Sequence, residues 1–260
     1  MSNKLAVCVG IDEVYGPAFN GWTGKLNACE FDCNDMSNIL RAEGYAVKQL
    51  LTKHATADAV LGALRDAVTN AYPGDHIVYT QSSHGTQVKD YDGDEDDGQD
   101  EALVMYDDIV DDDQFRKIWS LAKPGVKITT IVDACHSEDS MRSLVADEYA
   151  KRTMPRDVAR ALMTPERIAA AMARKSVIEE IRADMACFSA CQTWETASDG
   201  LYNGAYTGAF RAVWANGAFK GCMLSMHRMI QRKLANSGQH PTLAITGPDF
   251  WFQFKRPFEI

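Results

Sequence analysis

The chain predicts an α/β fold: a mostly parallel central sheet of about six strands with helices on both faces. Three observations lead there. Short β-rich apolar runs recur along the sequence, segments with helical apolar spacing separate them, and glycine or proline marks many of the joins. In sheets of this kind ligands bind outside the carboxyl ends of the strands, so residues just after each apolar run are the first place to look for chemistry.

Leu5–Ile11 reads as the first strand and runs into a glycine-rich loop through Gly24. From about Leu26 to Glu43, Cys29, Cys33, Met36 and Leu40 share a helix face, and Gly44 supplies a stop. Tyr45–Leu51 is the second strand. Thr56 can cap a helix carrying Val60, Leu61, Leu64 and Val68, which ends near Pro73-Gly74. His76–Gln81 is the third strand, followed by an acidic loop and a helix with Phe115, Ile118 and Trp119. Pro124-Gly125 turns the chain into a fourth strand, Val126–Val132. Thr164-Pro165-Glu166 opens a helix running toward Ala183. Ala186–Ala190 resumes as a strand, Thr207–Asn216 and Met223–Ala235 read as helices, and Thr242–Thr246 and Phe250–Phe254 as late strands.

At 260 residues, with 46% apolar and 24% charged residues, the chain has the composition of an ordinary globule. Leu5 to Gly10 is too short to span a bilayer and lacks a basic lead and cleavage site, so neither a membrane anchor nor a signal peptide is expected. Seven cysteines without a dense framework point to a reducing, cytoplasmic setting. The net charge of −9 comes from one place. Between Asp90 and Asp113 stand thirteen acidic residues and no Lys or Arg, and the remainder carries 27 basic against 23 acidic residues. That argues against nucleic acid as a partner of this segment.

Two stretches carry reactive side chains. Tyr79-Thr80-Gln81-Ser82-Ser83-His84-Gly85 and Ile131-Val132-Asp133-Ala134-Cys135-His136-Ser137 each end an apolar run, with the cysteine fifty-one residues after the histidine. A thiol is a strong nucleophile as thiolate and needs a base within hydrogen-bond reach. A histidine about 50 residues upstream is the spacing of caspase-type enzymes. Cys135 is thus the candidate nucleophile and His84 the base. His136 is a rival, although consecutive side chains point apart. Gly85, without a Cβ, suits an oxyanion hole formed with the Cys135 N–H.

These residues resemble the metacaspases and bacterial caspase-like cysteine peptidases. The likeness runs from Val7 to about Phe210: Val9-Gly10-Ile11-Asp12, Leu26-Asn27-Ala28-Cys29-Glu30-Phe31-Asp32, Ser82-Ser83-His84-Gly85, Asp100-Glu101-Ala102-Leu103 with Asp111-Asp112-Asp113, Asp133-Ala134-Cys135-His136-Ser137, and Phe188-Ser189-Ala190-Cys191-Gln192. Departures are Glu138 in place of a usual glycine, and Thr193-Trp194 where the family usually carries an aspartate. The resemblance implies a single caspase-like domain: a larger part (1–139) with the His/Cys pair, a basic helical connection (140–185) and a smaller part (186–260). It implies a cysteine endopeptidase whose substrate pocket is lined by Cys29, Asp32, Ser82 and Asp133. Two carboxylates there select Arg or Lys before the cut bond. A monomer is the expected state.

The resemblance also implies calcium, held by Asp100, Asp112 and Asp113. Asp90, Asp92, Asp94 and Glu101 have EF-hand spacing, but Glu95 stands where glycine is required, so that motif is rejected. A further family ligand falls near Arg142 and is missing, with Asp139 a nearby substitute. The plain alternative is a solvated acidic loop. Cys29-x₃-Cys33 and Cys187-x₃-Cys191 lack zinc-knuckle spacing and read as core. Two other functions stay open: a catalytically silent calcium- or protein-binding module, and the same thiol chemistry with Asp or Asn specificity. The nine basic residues between Arg142 and Arg182 add an expectation of self-cleavage at an exposed end such as Lys151-Arg152.

Overall fold

The computed structural model describes residues 2–91, 98–134, 151–174, 180–191 and 197–260. Strand β1 (Lys4–Gly10) ends in a residue that has to be glycine: a Cβ there would lie 2.3 Å from the carbonyl oxygen of Cys29. The contact lets the first turn of α1 (Cys29–Ala42) press on the strand's carboxyl end. Asp12 caps that turn from outside the helix. Its Oδ1 accepts from the N–H groups of Cys29 (2.8 Å) and Glu30 (3.2 Å), two donors that a helix start leaves free. The Val9-Gly10-Ile11-Asp12 motif thus fixes where Asp32, one turn into α1, points.

Next come β2 (Ala46–Leu51), α2 (Ala57–Thr69) and β3 (His76–Ser82). Thr56 caps α2 as expected, accepting the Ala59 N–H at 3.2 Å. Three short strands follow, β4 (Gly85–Lys89), β5 (Gln99–Val104) and β6 (Ile109–Asp111), paired antiparallel as a small separate sheet. Then come α3 (Asp112–Trp119), β7 (Lys127–Asp133), α4 (Arg156–Leu162), α5 (Pro165–Arg174) and β8 (Asp184–Ser189). The chain closes with α6 (Ala205–Trp214), α7 (Met223–Leu234) and β9 (Thr242–Thr246).

The main sheet has the order β2-β1-β3-β7-β8-β9, parallel except for β9. Both faces are covered, as a parallel sheet requires. Val7, Val9, Ile77 and Tyr79 meet Val60, Leu64 and Val68 of α2 and Phe115, Ile118 and Trp119 of α3. Their alternate neighbours Ala6, Cys8, Val78 and Ile131 pack with Met36 and Leu40 of α1, Phe210 of α6 and Ile230 of α7. Truncating a fully buried member such as Leu64 to alanine would cost ~2–5 kcal/mol.

The structure corrects three readings. The acidic run is no simple loop, since it holds β5, β6 and the start of α3. Part of its acidity is structural. Asp107 accepts the first N–H of α2 (2.9 Å), and Asp111 forms a capping box with Gln114 at the start of α3. The helix expected from Thr164 to Ala183 is described to Arg174 and is preceded by α4, which the sequence did not suggest. Phe250–Phe254 is a 3₁₀ helix, not a strand. Asp249 accepts the Trp251 N–H at 2.9 Å, and Phe252 is buried while Phe250, Trp251 and Phe254 are exposed.

Candidate active site

Strands β3 and β7 run side by side in a register that ends with Ser82 opposite Asp133. Two residues further along each chain stand His84 and Cys135. Cys135 lies outside the described residues, as do His136, Glu138, Asp139, Arg142, Thr193, Trp194, Asp92, Asp94 and Glu95. The chain is described to Ala134, which is buried at the end of β7.

His84 is buried, and its Nε2 lies 2.8 Å from the carbonyl oxygen of Gly24. A carbonyl only accepts, so in the neutral ring Nε2 carries the proton and Nδ1 keeps its lone pair. Among the described residues Nδ1 has no hydrogen-bond partner. Burial, offset by the Gly24 bond and reinforced by the nearby Arg152 charge, holds the imidazole pKa down to about 4. The ring is therefore neutral at neutral pH, ready to take a proton on Nδ1. Trp22 packs against it with centroids 4.9 Å apart. Gly24 has φ +50°, and a Cβ there would strike the Trp22 ring at 2.5 Å. No side-chain signal announces this backbone carbonyl, and sequence reasoning missed it.

The structure brings Asp32, Ser82 and Asp133 together, and the protein's own Arg152 lies among them. Arg152 is fully buried, not the exposed loop end that the sequence suggested. Its Nη2 donates to Asp32 Oδ2 at 2.7 Å and to Asp199 Oδ1 at 3.0 Å. Its Nη1 donates to Ser82 Oγ at 2.6 Å and to the Asp133 carbonyl at 3.1 Å. Asp133 Oδ1 lies 3.1 Å from the same nitrogen, an ion pair outside hydrogen-bond alignment. Nε donates to Asp199 Oδ1 at 3.3 Å. Cys29 is buried beside this charge, its thiol pushed well up by burial, with Arg152 acting against the shift.

Each carboxylate is held from behind. Asp32 Oδ1 accepts from Asn203 Nδ2 (2.9 Å) and the Gly204 N–H (3.1 Å). Asp133 Oδ2 accepts from the Thr207 N–H (3.0 Å) and hydroxyl (2.8 Å), and Asp199 Oδ2 from the Asn27 N–H (2.7 Å). Gly204 and Thr207 flank the start of α6, so its positive end faces two of the acids. Gly204 has no room for a side chain, because a Cβ would meet the Arg152 guanidinium at 2.6 Å. Burial and the neighbouring Asp133 raise the Asp32 carboxyl, and Arg152 limits the rise to about 6.

The backbone around Arg152 is equally ordered. Its N–H donates to the Ala197 carbonyl (3.2 Å), and Lys151 bridges Ser198 antiparallel. Its carbonyl accepts the Gly85 N–H at 3.1 Å. Thr153 bridges Gly85 in the parallel sense, and the buried Met154 donates to the Gly85 carbonyl at 2.9 Å. The segment 151–154 is thus tied by isolated bridges to Gly85, just beyond the carboxyl end of β3, and to Ser198.

Asp100, Asp112 and Asp113 stand on β5 and the first turn of α3. Burial raises Asp100 to about 8, helped by Asp112, Asp90, Asp111 and Asp113, and raises Asp112 to about 7, helped by Glu101 and Asp113. Crowded, partly desolvated carboxylates have the donor chemistry of a hard divalent cation. As placed, however, no three His, Cys, Asp or Glu side chains among the described residues converge on a common metal position.

A buried imidazole just beyond the end of β3, beside a cluster of buried carboxylates, sits where ligands bind in a parallel α/β sheet, and comparison with known proteins identifies the family. The caspase domain of peptidase family C14 matches residues 3–249. The chain belongs to this family of cysteine-type peptidases. Metacaspase-1A of Aspergillus terreus is 35% identical over 153 residues, covering 53% of this chain and 36% of that protein. Metacaspase-1 of Ajellomyces capsulatus is 33% identical over 153 residues, covering 53% and 41%. The match thus spans about two fifths or less of each curated relative. A crystal structure of a protein from Geobacter sulfurreducens superposes with TM-score 0.88 and 33% identity, covering 98% of both chains. No helix among the described residues is long and apolar enough to cross a membrane.

Proposed function

We propose that this protein is a cysteine endopeptidase that cuts after arginine or lysine and takes its own Arg152–Thr153 bond as a substrate. One observation carries the reading: Arg152 sits in the carboxylate pocket while its carbonyl accepts the Gly85 N–H. A scissile residue needs that pair of contacts, side chain anchored and carbonyl polarised. Cys135, the residue after Ala134, is the nucleophile, and His84 Nδ1 takes its proton. The thiolate attacks the Arg152 carbonyl carbon, and Gly85 N–H stabilises the oxyanion with the Cys135 N–H. His84 then delivers the proton to the Thr153 nitrogen as the amide bond breaks. Water, deprotonated by His84, hydrolyses the thioester and regenerates the thiol.

Cutting would separate residues 1–152 from 153–260. Met154 is buried in the core with Val158 and Ala159 of α4, so the second piece should stay attached. Calcium is the proposed activating ion, with Asp100, Asp112 and Asp113 as its candidate ligands. When bound it would relieve their mutual repulsion, next to the β4–β5 sheet that carries Gly85. Six free cysteines among the described residues suit the proposed cytoplasmic setting.

The test is an assay of Arg-, Lys- and Asp-terminated fluorogenic peptides, with calcium or chelator, beside Cys135→Ala and His84→Ala. Cleavage after Arg and Lys, lost in both variants, is expected, together with fragments that begin at Thr153 and co-elute on gel filtration. Turnover persisting in Cys135→Ala, or preference for Asp, would overturn the reading. No turnover on any peptide would favour a silent binding module.

A further inference from the structure

We infer that Asp199, outside the pair of acids expected from sequence, makes the pocket prefer arginine over lysine. The inference deepens the proposed peptidase reading and rests on it. Asp199 is 2% exposed, and it approaches the guanidinium from the side rather than the end. One oxygen, Oδ1, accepts from both Nε (3.3 Å) and Nη2 (3.0 Å) of Arg152. Asp32 and Asp133 meet only the terminal nitrogens.

The chemistry of the two basic side chains makes this geometry selective. Arginine presents five N–H donors in a planar fork, one of them on the inner nitrogen Nε. Lysine has a methylene at that position and a single ammonium beyond it, where arginine has its central carbon. A lysine could answer the end-on acids through its ammonium, but nothing on its chain could donate to Asp199 from the Nε position. Asp199 would then be a buried acceptor that has lost a partner, and leaving such a group unsatisfied is costly.

Asp199 is also built into substrate alignment. It directly follows Ala197 and Ser198, which pair with the backbone of Arg152 and Lys151. Its second oxygen is fixed by the Asn27 N–H, so the carboxylate cannot swing to follow a shorter donor. The segment that pairs with the Arg152 backbone therefore also presents the selecting acid.

The test compares self-cleavage of the wild-type chain and Arg152→Lys, each with Asp199 intact or replaced by Ala or Asn. Two peptides that differ only in Arg or Lys, supplied in trans, give a second measure of kcat and KM. With Asp199 intact, lysine should be cut roughly 10- to 100-fold less efficiently than arginine, the worth of one charge-assisted hydrogen bond. In Asp199→Ala the ratio should collapse toward one, because arginine loses its advantage and lysine no longer leaves a buried acceptor unsatisfied. Asp199→Asn, close in shape, carries the same comparison if the alanine variant melts. An Arg-to-Lys ratio unchanged in both variants would overturn the inference while leaving the peptidase reading intact. A wild-type protein that cuts neither itself nor either peptide would overturn both.

Discussion

Asp32, Asp133 and Asp199 are nearly sealed from water, at 1, 1 and 2% exposure, whereas Asp100 and Asp113 are at 8 and 7%. By burial alone the first cluster should hold its protons harder. The opposite is found where the two can be compared: Asp32 is raised to about 6 and Asp100 to about 8. The difference lies in the company. At Asp32 the Arg152 guanidinium offsets the cost of burial, while at Asp100 the leading influences after burial are four more carboxylates. Depth matters less than whether a cation is built in. One cluster carries its cation in the chain, and for the other we propose one from solution.

The largest effect should come from removing that built-in cation. Arg152→Ala leaves three buried carboxylates facing one another, and breaking a buried ion pair from one side costs ~3–5 kcal/mol. Urea melts at pH 8 should show a loss of that order, part of it recovered at pH 5 as Asp32 takes up a proton. Equal stability of variant and wild type at pH 8 would mean that Arg152 does not balance the pocket.

That cation also marks the limit of what was legible in sequence. The central strands were readable because burial on both faces writes them as β-branched and apolar runs, as in Ile77-Val78-Tyr79 and Ile128-Thr129-Thr130-Ile131-Val132. Asp32, Ser82 and Asp133 were reachable because they flank motifs at strand ends or on an amphipathic helix. Arg152 looked like one of nine basic residues in a connecting segment, and its dipeptide with Lys151 suggested a solvated tip. Asp199, ahead of Gly200, has the signature of a turn. Both acquire meaning only when distant segments meet. Phe250–Phe254 misled for another reason: aromatic residues favour strands, yet the Asp249 cap won locally.

Asp32→Asn sharpens the comparison from the acid side. The folded value of Asp32, about 6, lies above its ordinary 3.8, so folding disfavours the ionised form. The stability this group contributes is present below about pH 4 and is lost as pH rises through 6, a change on the order of a few kcal/mol. The asparagine cannot titrate. The stability difference, wild type minus variant, should therefore fall by about that amount between pH 4 and 7. A flat difference would show that Arg152 offsets burial in full and leaves Asp32 at its ordinary value, and a rising one that it holds Asp32 below that value.

Calcium, the ion proposed for the second cluster, should act more weakly. A ligand at ten times its Kd that binds only the folded state adds ~1.4 kcal/mol, a few degrees in Tm for a chain of this size. Asp112→Ala combined with Asp113→Ala should abolish the shift seen by scanning calorimetry in calcium against chelator. Magnesium should substitute poorly, because it demands near-ideal octahedral geometry. A shift that survives the double substitution would place the ion elsewhere.

The smallest effect separates acids that serve the helix from acids that would serve a cation. Asp111 belongs to the same acidic run, but its Oδ1 already accepts the Gln114 N–H at 2.9 Å, and Gln114 returns the bond to the Asp111 N–H at 3.3 Å. Loss of such a cap typically costs ~1 kcal/mol, whatever ion is present. Asp111→Ala should therefore lower Tm by a similar amount in calcium and in chelator, leaving the calcium-induced increment unchanged. Asp111→Asn, which can still accept from the Gln114 N–H, should recover most of the loss. The charge of Asp111 also contributes to raising Asp100, so this variant further tests whether charge or cap dominates at that position. If Asp111→Asn lost the calcium increment while keeping the cap, Asp111 would belong with the cation-binding acids, and the boundary between the structural and ion-seeking parts of the run would move by one residue.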